Sequence, residues 1–417
     1  MEVDPARVIG DLRKLDRLTG GPDGARRLCW TDAWIEARSF LRERLAAIDG
    51  VGVHEDEAGN LWAHLPGLGW ETDDDAGNTA AAGGTVAVGS HLDSVPNGGW
   101  LDGALGVMAS LEVLRVAAAD RPPRTVTLVD FADEEGARFG RSLFGSSAVA
   151  GTLDLGALET LRDAEGHALP AVLAEHGVDL DRLGAATSRR EGLVAYLELH
   201  IEQGPVLERE GVSVAAVSGT FGVERHRLVF EGQASHAGTT PMAMRRDAGL
   251  GAAQAALAVE EIARGHGGVG TSGVLRLEPG VPTAVAGRAE MVVDLRHAEA
   301  GALAAMLAET RAATRHAADE RGCSLEESEI WHIEPIPFDE RLVAAALEAA
   351  GSGRVLASGA LHDAAEMARH VPVAMLFAPS TAGLSHAKEE DTPEEDLALA
   401  IAAFGRLALG VARDGLP

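Results

Sequence analysis

Residues 85–94 read TVAVGSHLDS, and residues 124–136 read RTVTLVDFADEEG. Each begins as an apolar run typical of a buried strand and ends in histidine or acidic residues. Between them, residues 104–119 form an Ala/Leu/Val-rich helical pattern. A strand–helix–strand order with apolar strands predicts a parallel or mixed sheet covered by helices. Ligands bind at the carboxyl ends of the strands in such sheets, so the two polar clusters indicate a candidate site.

The pattern further along the chain predicts a second domain inserted into the first. Strand patterns at 193–201 and 372–378 resemble the opening ones, whereas shorter strand patterns and two helical stretches alternate in between. We therefore predict an α/β catalytic domain with a mixed sheet, formed by residues 1–212 and 329–417. Residues 213–328 are predicted to form a smaller α+β domain.

Composition and charge exclude several classes of protein. The chain has 417 residues, of which 36 are Lys or Arg and 64 are Asp or Glu, so its formal net charge is −28. Clustered cations, which nucleic acids and anionic membranes require, are not expected from this balance. No apolar run approaches the roughly 20 residues of a membrane span, and the N-terminus lacks the apolar region of a signal peptide. Because Cys29 and Cys323 are the only cysteines, a reducing, cytoplasmic location is predicted.

Four segments concentrate the residue types that bind metal ions. They contribute His91, Asp93 and Asp102 from the first segment, Glu134 and Glu135 from DEEG, His200 from LHIEQG, and His386 from GLSHAKEE. Imidazole and carboxylate groups suit zinc, with manganese, cobalt and nickel as alternatives. Taken singly, each group has an ordinary structural explanation, but four such groups at strand ends and in glycine-rich loops favour a metal site.

The spacing suggests a division of roles within that site. Asp93 follows His91 by two residues and can accept the second ring N–H of that histidine. Asp102 lies in a tight LDG turn and is the candidate to bridge two metals about 3.5–4 Å apart. Since Glu134 and Glu135 are adjacent on extended chain, one can bind metal while the other acts as general base.

Three other patterns are weaker. The stretch at 71–84 is predicted to be a solvated loop, because its acidic cluster lacks the spacing of a calcium-binding EF-hand. The GHGGVG at 265–270 follows a helix and precedes a strand, the reverse of a dinucleotide-binding order. Serines between small residues lack the final glycine of a G-x-S-x-G elbow, which argues against a serine hydrolase.

Taken together, the motifs resemble those of the M20-type metal-dependent amidohydrolases, specifically the hydantoinase/carbamoylase branch. They are SHLDSVPNGGWLDG, DEEGARFG, HIEQGPVLE, SHAGTTPM, DLRH, SGALHDAAEMA and PSTAGLSHAKEE. This branch contains N-carbamoyl-L-amino acid hydrolases, β-ureidopropionases and allantoate amidohydrolases. The resemblance implies a metallo-aminopeptidase-like catalytic domain, a dimerisation and lid domain at 213–328, and therefore a homodimer.

The resemblance also implies a role for each residue of the site. One metal would be held by His91, Asp102 and His200, and the second by Asp102, Glu135 and His386. Glu134 would be the general base, and Asp93 would orient His91. His236 of SHAGTTPM would reach the active site of the other subunit and stabilise the oxyanion.

Substrate contacts are implied as well. Gln203 and Arg225 match substrate-contacting residues, Arg296 would hold a carboxylate, and the backbone at Gly359 and Ala360 would shape the pocket. Thr283 departs from the family, which has a substrate-binding asparagine there, and a hydroxyl cannot supply the paired donor and acceptor of an amide.

The expected reaction is hydrolysis of a linear C–N amide bond in a ureido or carbamoyl group on a small carboxylate, in the first place an N-carbamoyl-L-amino acid. Allantoate amidohydrolase and N-acyl amino acid amidase are alternatives that the sequence does not separate. A metal-free binding protein on the same scaffold is the alternative from another class, and the intact ligand set and Glu134 argue against it.

Overall fold

A computed structural model of the protein describes residues 2–68 and 84–416. Nearly all of the loop predicted at 71–84 lies outside these residues. The chain divides into a larger unit, Met1–Ser218 with Phe338–Pro417, and a smaller unit, Gly219–Pro337. The first boundary lies six residues after its predicted position, and the second lies nine residues after its predicted position.

The principal strands belong to two sheets. In chain order they are β1 (Gly52–Glu55), β2 (Leu61–Leu65), β3 (Thr85–His91), β4 (Thr125–Phe131), β5 (Leu193–Ile201), β6 (Ala215–Thr220), β7 (Gly222–Glu231), β8 (Val269–Glu278), β9 (Arg288–His297), β10 (Ser324–Ile333), β11 (Val355–Ser358) and β12 (Val373–Ala378).

The helices vary from one turn to about six turns. They are α1 (Pro5–Thr19), α2 (Asp32–Leu45), α3 (Ala104–Ala119), α4 (Phe144–Ala150), α5 (Leu155–Leu158), α6 (Leu169–Glu175), α7 (Val206–Glu210), α8 (Ala248–His266), α9 (Ala300–Glu320), α10 (Glu340–Ala350), α11 (Asp363–Met367) and α12 (Glu394–Asp414), with a 3₁₀ segment at Leu180–Arg190. Among the described residues, no helix is both long and apolar enough to cross a membrane.

The large sheet runs in the order β6-β12-β5-β3-β4-β2-β1, and β11 also pairs with β6. Strands β12, β5, β3 and β4 are mutually parallel, whereas β2, β1 and β6 join antiparallel to their neighbours. The predicted mixed sheet is thus confirmed, and the carboxyl ends of its central strands meet at one edge.

Both faces of the large sheet are buried, and successive side chains of a strand point to opposite faces. Val86 and Val88 of β3 belong to a core that also contains Leu12 of α1 and Phe404 of α12. The intervening Ala87 belongs to a second core, with residues such as Trp62 and Tyr196. A strand buried on both faces reads as a continuous apolar run, which is the pattern seen at 85–89.

The smaller unit has a four-stranded antiparallel sheet in the order β8-β9-β7-β10. Helices α8 and α9 pack on one of its faces, where Phe230, Met291 and Met306 contribute to the unit's own core. This unit is the α+β domain that the sequence pattern indicates; its role in dimerisation and as a lid remains a prediction.

Candidate metal centre

The candidate ligands lie where the parallel strands of the large sheet end. His91 is the last residue of β3, His200 is the penultimate residue of β5, and Glu134 and Glu135 follow β4 by a few residues. Because β3, β4 and β5 are parallel neighbours, their carboxyl ends bring these side chains to one edge of the sheet.

The Asp102 carboxylate lies between two groups of possible ligands. Its Oδ1 is 3.2 Å from His200 Nε2 and 4.0 Å from His91 Nε2. Its Oδ2 is 3.3 Å from His386 Nε2, which is in turn 3.4 Å from Glu135 Oε2. Within each group the ligand atoms all lie within 4.8 Å of one another. One carboxylate oxygen facing each group is the arrangement that a bridging ligand requires.

The imidazole rings are oriented so that Nε2 faces this centre. His91 Nδ1 lies 3.1 Å from the carbonyl oxygen of Asp93, and His200 Nδ1 lies 2.9 Å from that of Ile201. In a neutral ring, an Nδ1–H donated to a carbonyl leaves the Nε2 lone pair for a metal, as in most histidine-ligated sites. Glu135 Oε1 is buried, and none of the described residues forms a hydrogen bond with it. These donors fit a pair of divalent cations.

Several charges share this buried space, and each affects the others. Burial raises the pKa of Glu134, although His91 opposes the shift. Burial and the nearby Asp102 raise the pKa of Glu135 to about 7. For Asp102, burial favours the neutral acid, but hydrogen bonds with His200 and His386 hold its pKa well below the usual range. Cations would offset the cost of gathering these carboxylates in a buried site.

Asp93 holds the DEEG loop against the end of β3. Its carboxylate accepts the backbone N–H groups of Glu134 at 3.3 Å and Glu135 at 3.1 Å. The carboxylate Oδ1 is 3.5 Å from His91 Nδ1, so the shorter contact of that ring is with the Asp93 carbonyl. In this structure Asp93 therefore contacts both the histidine and the loop that carries the two glutamates.

The close approach of the chain explains the glycine after Asp102. Gly103 has φ +63°, and a Cβ atom at this position would lie 2.4 Å from His91 Cε1. A positive φ is also found at Gln203 and His386, which are not glycine. Such backbone strain is concentrated at functional sites, where surrounding contacts must maintain it.

Gln203, which the sequence associates with substrate, also contacts the ligand set. Its Nε2 donates to Asp102 Oδ2 at 3.0 Å and to Ser385 Oγ at 3.2 Å. Its Oε1 is buried and accepts no hydrogen bond from the described residues. The amide thus has an acceptor available beside the metal centre.

Glu390 is a residue of this site to which sequence reasoning assigned no role. The buried side chain accepts the backbone N–H of Asp102 at 3.0 Å and that of Leu101 at 3.1 Å, and it accepts Ser385 Oγ–H at 3.0 Å. Burial raises its pKa to about 7. Its place in the quoted GLSHAKEE segment was the only signal, since a contact between residues so distant in sequence is not visible in a pattern.

The loop that carries Gly359 and Ala360 follows β11 in the larger unit. Ser358 Oγ donates to the Ala360 carbonyl at 2.8 Å and lies 2.9 Å from His362 Nε2. The His362 ring is 4.5 Å, centroid to centroid, from the ring of His200. This contact places the loop next to a ligand of the first group.

The remaining predicted site residues belong to the smaller unit. His236 pairs with Ala284 in a short antiparallel bridge, and the Thr283 carbonyl accepts the Ala237 N–H at 2.8 Å. His236 is exposed, and its Nδ1 accepts the Gly238 N–H at 3.1 Å. In a neutral ring the proton is then on Nε2, which becomes a hydrogen-bond donor.

Arg225 and Arg296 meet at one carboxylate. Arg225 Nη2 is 2.6 Å from Asp294 Oδ2, and Arg296 Nε donates to Asp294 Oδ1 at 2.7 Å. Partial burial favours the neutral acid, but these hydrogen bonds hold the pKa of Asp294 below its usual range. The two guanidinium groups predicted to contact substrate are thus held by the same side chain.

Comparison with known proteins identifies the family. The model of Peptidase family M20/M25/M40 matches residues 87–410. An N-carbamoyl-L-amino acid amidohydrolase of Geobacillus stearothermophilus is 39% identical over 87% of this chain and 86% of its own. An allantoate amidohydrolase of Escherichia coli is 33% identical over 90% of each chain.

A solved structure agrees with this result. The crystal structure of an amidase of the hydantoinase/carbamoylase family from Burkholderia multivorans superposes with a TM-score of 0.87 at 31% identity, covering 99% of this chain and 98% of that one. The resemblance inferred from the motifs is therefore confirmed. With a family match over most of its length and a paired set of metal-ligand groups at the sheet edge, the chain belongs to peptidase family M20/M25/M40, and it is similar to the hydantoinase/carbamoylase amidases within it.

Proposed function

We propose that this protein is a binuclear metal-dependent amidohydrolase that cleaves the linear C–N amide bond of a small ureido or carbamoyl carboxylate. The observation that carries the proposal is the position of Asp102, which presents one oxygen to each of two ligand groups. When bound, the two metal ions would polarise the scissile carbonyl and acidify a water molecule.

The assigned ligands are His91, Asp102 and His200 for one metal and Asp102, Glu135 and His386 for the other. All five side chains offer nitrogen or carboxylate oxygen, the donors that zinc accepts readily. Zinc is therefore proposed, and manganese, cobalt and nickel are alternatives that the same donors can bind.

Glu134 is the proposed general base. It is 7% exposed, and its Oε2 is 3.8 Å from His91 Nε2, beside the proposed ligands. Its carboxylate would take a proton from the attacking water and deliver it to the leaving nitrogen as the C–O bond forms and the C–N bond breaks. Burial raises the pKa of Glu134, which makes its carboxylate a stronger acceptor of the water proton. The protonated group is then still an acid near neutrality and can deliver that proton to the leaving nitrogen.

The substrate is proposed to be an N-carbamoyl-L-amino acid, whose hydrolysis gives the amino acid, ammonia and CO2. Arg296 would hold the carboxylate, and the other proposed substrate contacts are Arg225, Gln203, Thr283 and the backbone at 359–360. The relatives' names support this class of substrate. Allantoate and N-acyl amino acids are the other candidates, because Thr283 replaces the amide that the family uses.

His236 is proposed to act in the site of a second subunit, within a homodimer formed through residues 213–328. Its exposed ring, with Nε2 as the donor, is suited to stabilise a developing oxyanion. A cytoplasmic location is also proposed, and it is supported by two buried thiols, Cys29 and Cys323, that form no disulfide.

A substrate panel tests the proposal. Zinc-loaded protein is incubated separately with N-carbamoyl-L-amino acids, allantoate and N-acetyl-L-amino acids, and both ammonia and the free amino acid are measured. Ammonia and amino acid in equal amounts from the first class are expected. Turnover of allantoate alone or of N-acetyl substrates alone would assign the second or third activity, and no turnover of any class would contradict the proposal. The Glu134→Gln variant is the control for contaminating hydrolases.

A further inference from the structure

A second cluster of histidine and carboxylate side chains lies in the smaller unit. Along β7, residues 224, 226, 228 and 230 face the same side of the sheet, and Leu228 and Phe230 belong to the core beneath α8 and α9. Glu224 and His226 therefore occupy core-facing positions, with 8% and 1% exposure. Buried charged or polar groups at such positions require partners.

The partners of the buried His226 ring are carboxylates. His226 Nε2 lies 2.8 Å from Glu224 Oε2, and His226 Nδ1 lies 3.2 Å from Glu327 Oε1. Glu329 is the register partner of His226 on β10. Glu224, His226 and Glu329 each offer a ligand atom within 4.8 Å of the other two, a limit that the two proposed catalytic ligand groups also meet.

A second histidine, another glutamate and one arginine lie next to this cluster. His332 Nδ1 is 2.8 Å from Glu224 Oε1, and His332 Nε2 is 3.3 Å from Glu334 Oε1. Arg311 donates from Nε to Glu327 Oε1 at 2.7 Å. With Glu329, the cluster contains four glutamates and one guanidinium, so two neutral histidines would leave it with a net negative charge.

The two ring nitrogens of His226 have similar surroundings. Both of its ring nitrogens face carboxylates, yet a neutral imidazole can donate from only one of them. Glu327 Oε1 lies 3.2 Å from its buried Nδ1, but the described residues give this nitrogen no well-aligned hydrogen bond. A cation near Nε2 would neutralise part of the acidic excess and leave Nδ1–H directed at Glu327. A metal-bound histidine whose other N–H meets a carboxylate is the usual arrangement around protein metal sites.

We propose that Glu224, His226 and Glu329 form a further divalent-cation site, with Glu327 orienting the histidine. This site belongs to the smaller unit, whereas the proposed catalytic ligands belong to the larger unit. One imidazole and two carboxylates favour a borderline metal such as zinc over calcium or magnesium, which prefer oxygen alone. The site is at an edge strand and one ligand is exposed, so the ion would exchange with solvent and would contribute to the stability of the smaller unit.

Native mass spectrometry of protein titrated with Zn²⁺ tests this inference. The wild type is expected to take up one zinc ion more than the catalytic pair, and this additional ion should bind at least tenfold more weakly in Glu329→Gln. Glu326→Gln is the matched control, because Glu326 is exposed on the same strand but lies on the other side of the sheet. His226→Asn is expected to abolish the additional ion, with circular dichroism to show that the variant is folded.

The readout does not depend on activity, so it is independent of the catalytic proposal. Hydrolysis should be nearly unchanged in Glu329→Gln, whereas thermal stabilisation by zinc should be reduced. A wild type that binds no additional zinc overturns the inference, as does an additional zinc that all three variants bind equally well.

Discussion

Glu390 Oε1 accepts the backbone N–H of Asp102 at 3.0 Å, so one buried carboxylate fixes the turn that presents another. The same oxygen accepts the N–H of Leu101, and Oε2 accepts the hydroxyl of Ser385, which itself contacts Asp102 Oδ2 at 3.1 Å. Glu390 is thus a positioning residue for the proposed bridging ligand.

Glu390→Ala is expected to weaken metal binding by roughly 10- to 100-fold, the usual loss when a group that orients a ligand is removed. Glu390→Gln keeps an acceptor oxygen for the two N–H groups and should recover most of the affinity. The measurement is the zinc dissociation constant by competition with a chromophoric chelator. Glu389→Ala, at the exposed neighbouring position, is the control; equal losses in both alanine variants would disprove the positioning role.

Glu134→Gln should lower kcat by about 10²- to 10⁴-fold, because an amide keeps the shape of the side chain but cannot accept the proton. Metal content should remain that of the wild type. Glu135→Gln should instead reduce metal content, since Glu135 is the proposed ligand. Elemental analysis beside steady-state kinetics separates the two variants, and the opposite pattern would exchange the roles of the two glutamates.

Asp294→Asn should raise KM by roughly 10- to 100-fold with little change in kcat. The reason is that Asp294 holds both Arg225 and Arg296, and hydrogen bonds to charged groups contribute about 1.5–3 kcal/mol. Glu290→Gln is the matched control, because Glu290 is on the same strand and pairs with Arg227 instead. A loss of kcat at constant KM would show that these arginines do not serve mainly in binding substrate.

His236→Ala should lower kcat strongly and leave metal content unchanged; oxyanion donors contribute roughly 2.7–4 kcal/mol elsewhere. Mixing Glu134→Gln with His236→Ala under conditions that exchange subunits tests whether the site is shared. In a mixed dimer one site has both wild-type groups, so activity should return to at most half the wild-type value. If subunit exchange is verified and activity stays absent, His236 does not act across subunits.

The larger unit was the more predictable part of the fold. Helix α3 has the predicted bounds, 104–119. Strands β3 and β4 coincide with the apolar runs of the segments quoted at 85–94 and 124–136, because buried parallel strands are continuous apolar runs. Strand β10 was not predicted, and the domain boundary expected at 328/329 falls inside it. Its sequence, SLEESEIWHI, is rich in charge because β10 is an edge strand, and charge on edge strands limits pairing with other chains.

Residue type and strand position were enough to select the candidate ligands, since histidines and acids at strand ends are visible in one sequence. The supporting contacts were not visible. Glu390 contacts Asp102 across most of the chain, and Gln203, which the motif associated with substrate, also donates to Asp102 from a residue with positive φ. Such contacts depend on how distant segments pack, which local patterns do not encode.

Metal removal should destabilise the protein. With the cations absent, Asp102, Glu134 and Glu135 share a buried space in which like charges repel, and metal bound only to the folded state stabilises it by about 4 kcal/mol at a thousandfold excess over Kd. Differential scanning calorimetry should therefore show a lower Tm after dialysis against a chelator and recovery after zinc is restored. An unchanged Tm would indicate that the centre does not hold metal tightly.

The metal content of Asp102→Ala, compared with that of His386→Ala, tests the central claim most directly. Because Asp102 presents Oδ1 to His200 and Oδ2 to His386, its removal should reduce the zinc measured by elemental analysis by two ions per chain relative to the wild type. His386→Ala should reduce it by one at most. If Asp102→Ala retains both ions, or loses no more than His386→Ala does, Asp102 does not bridge two metals and the binuclear account is wrong.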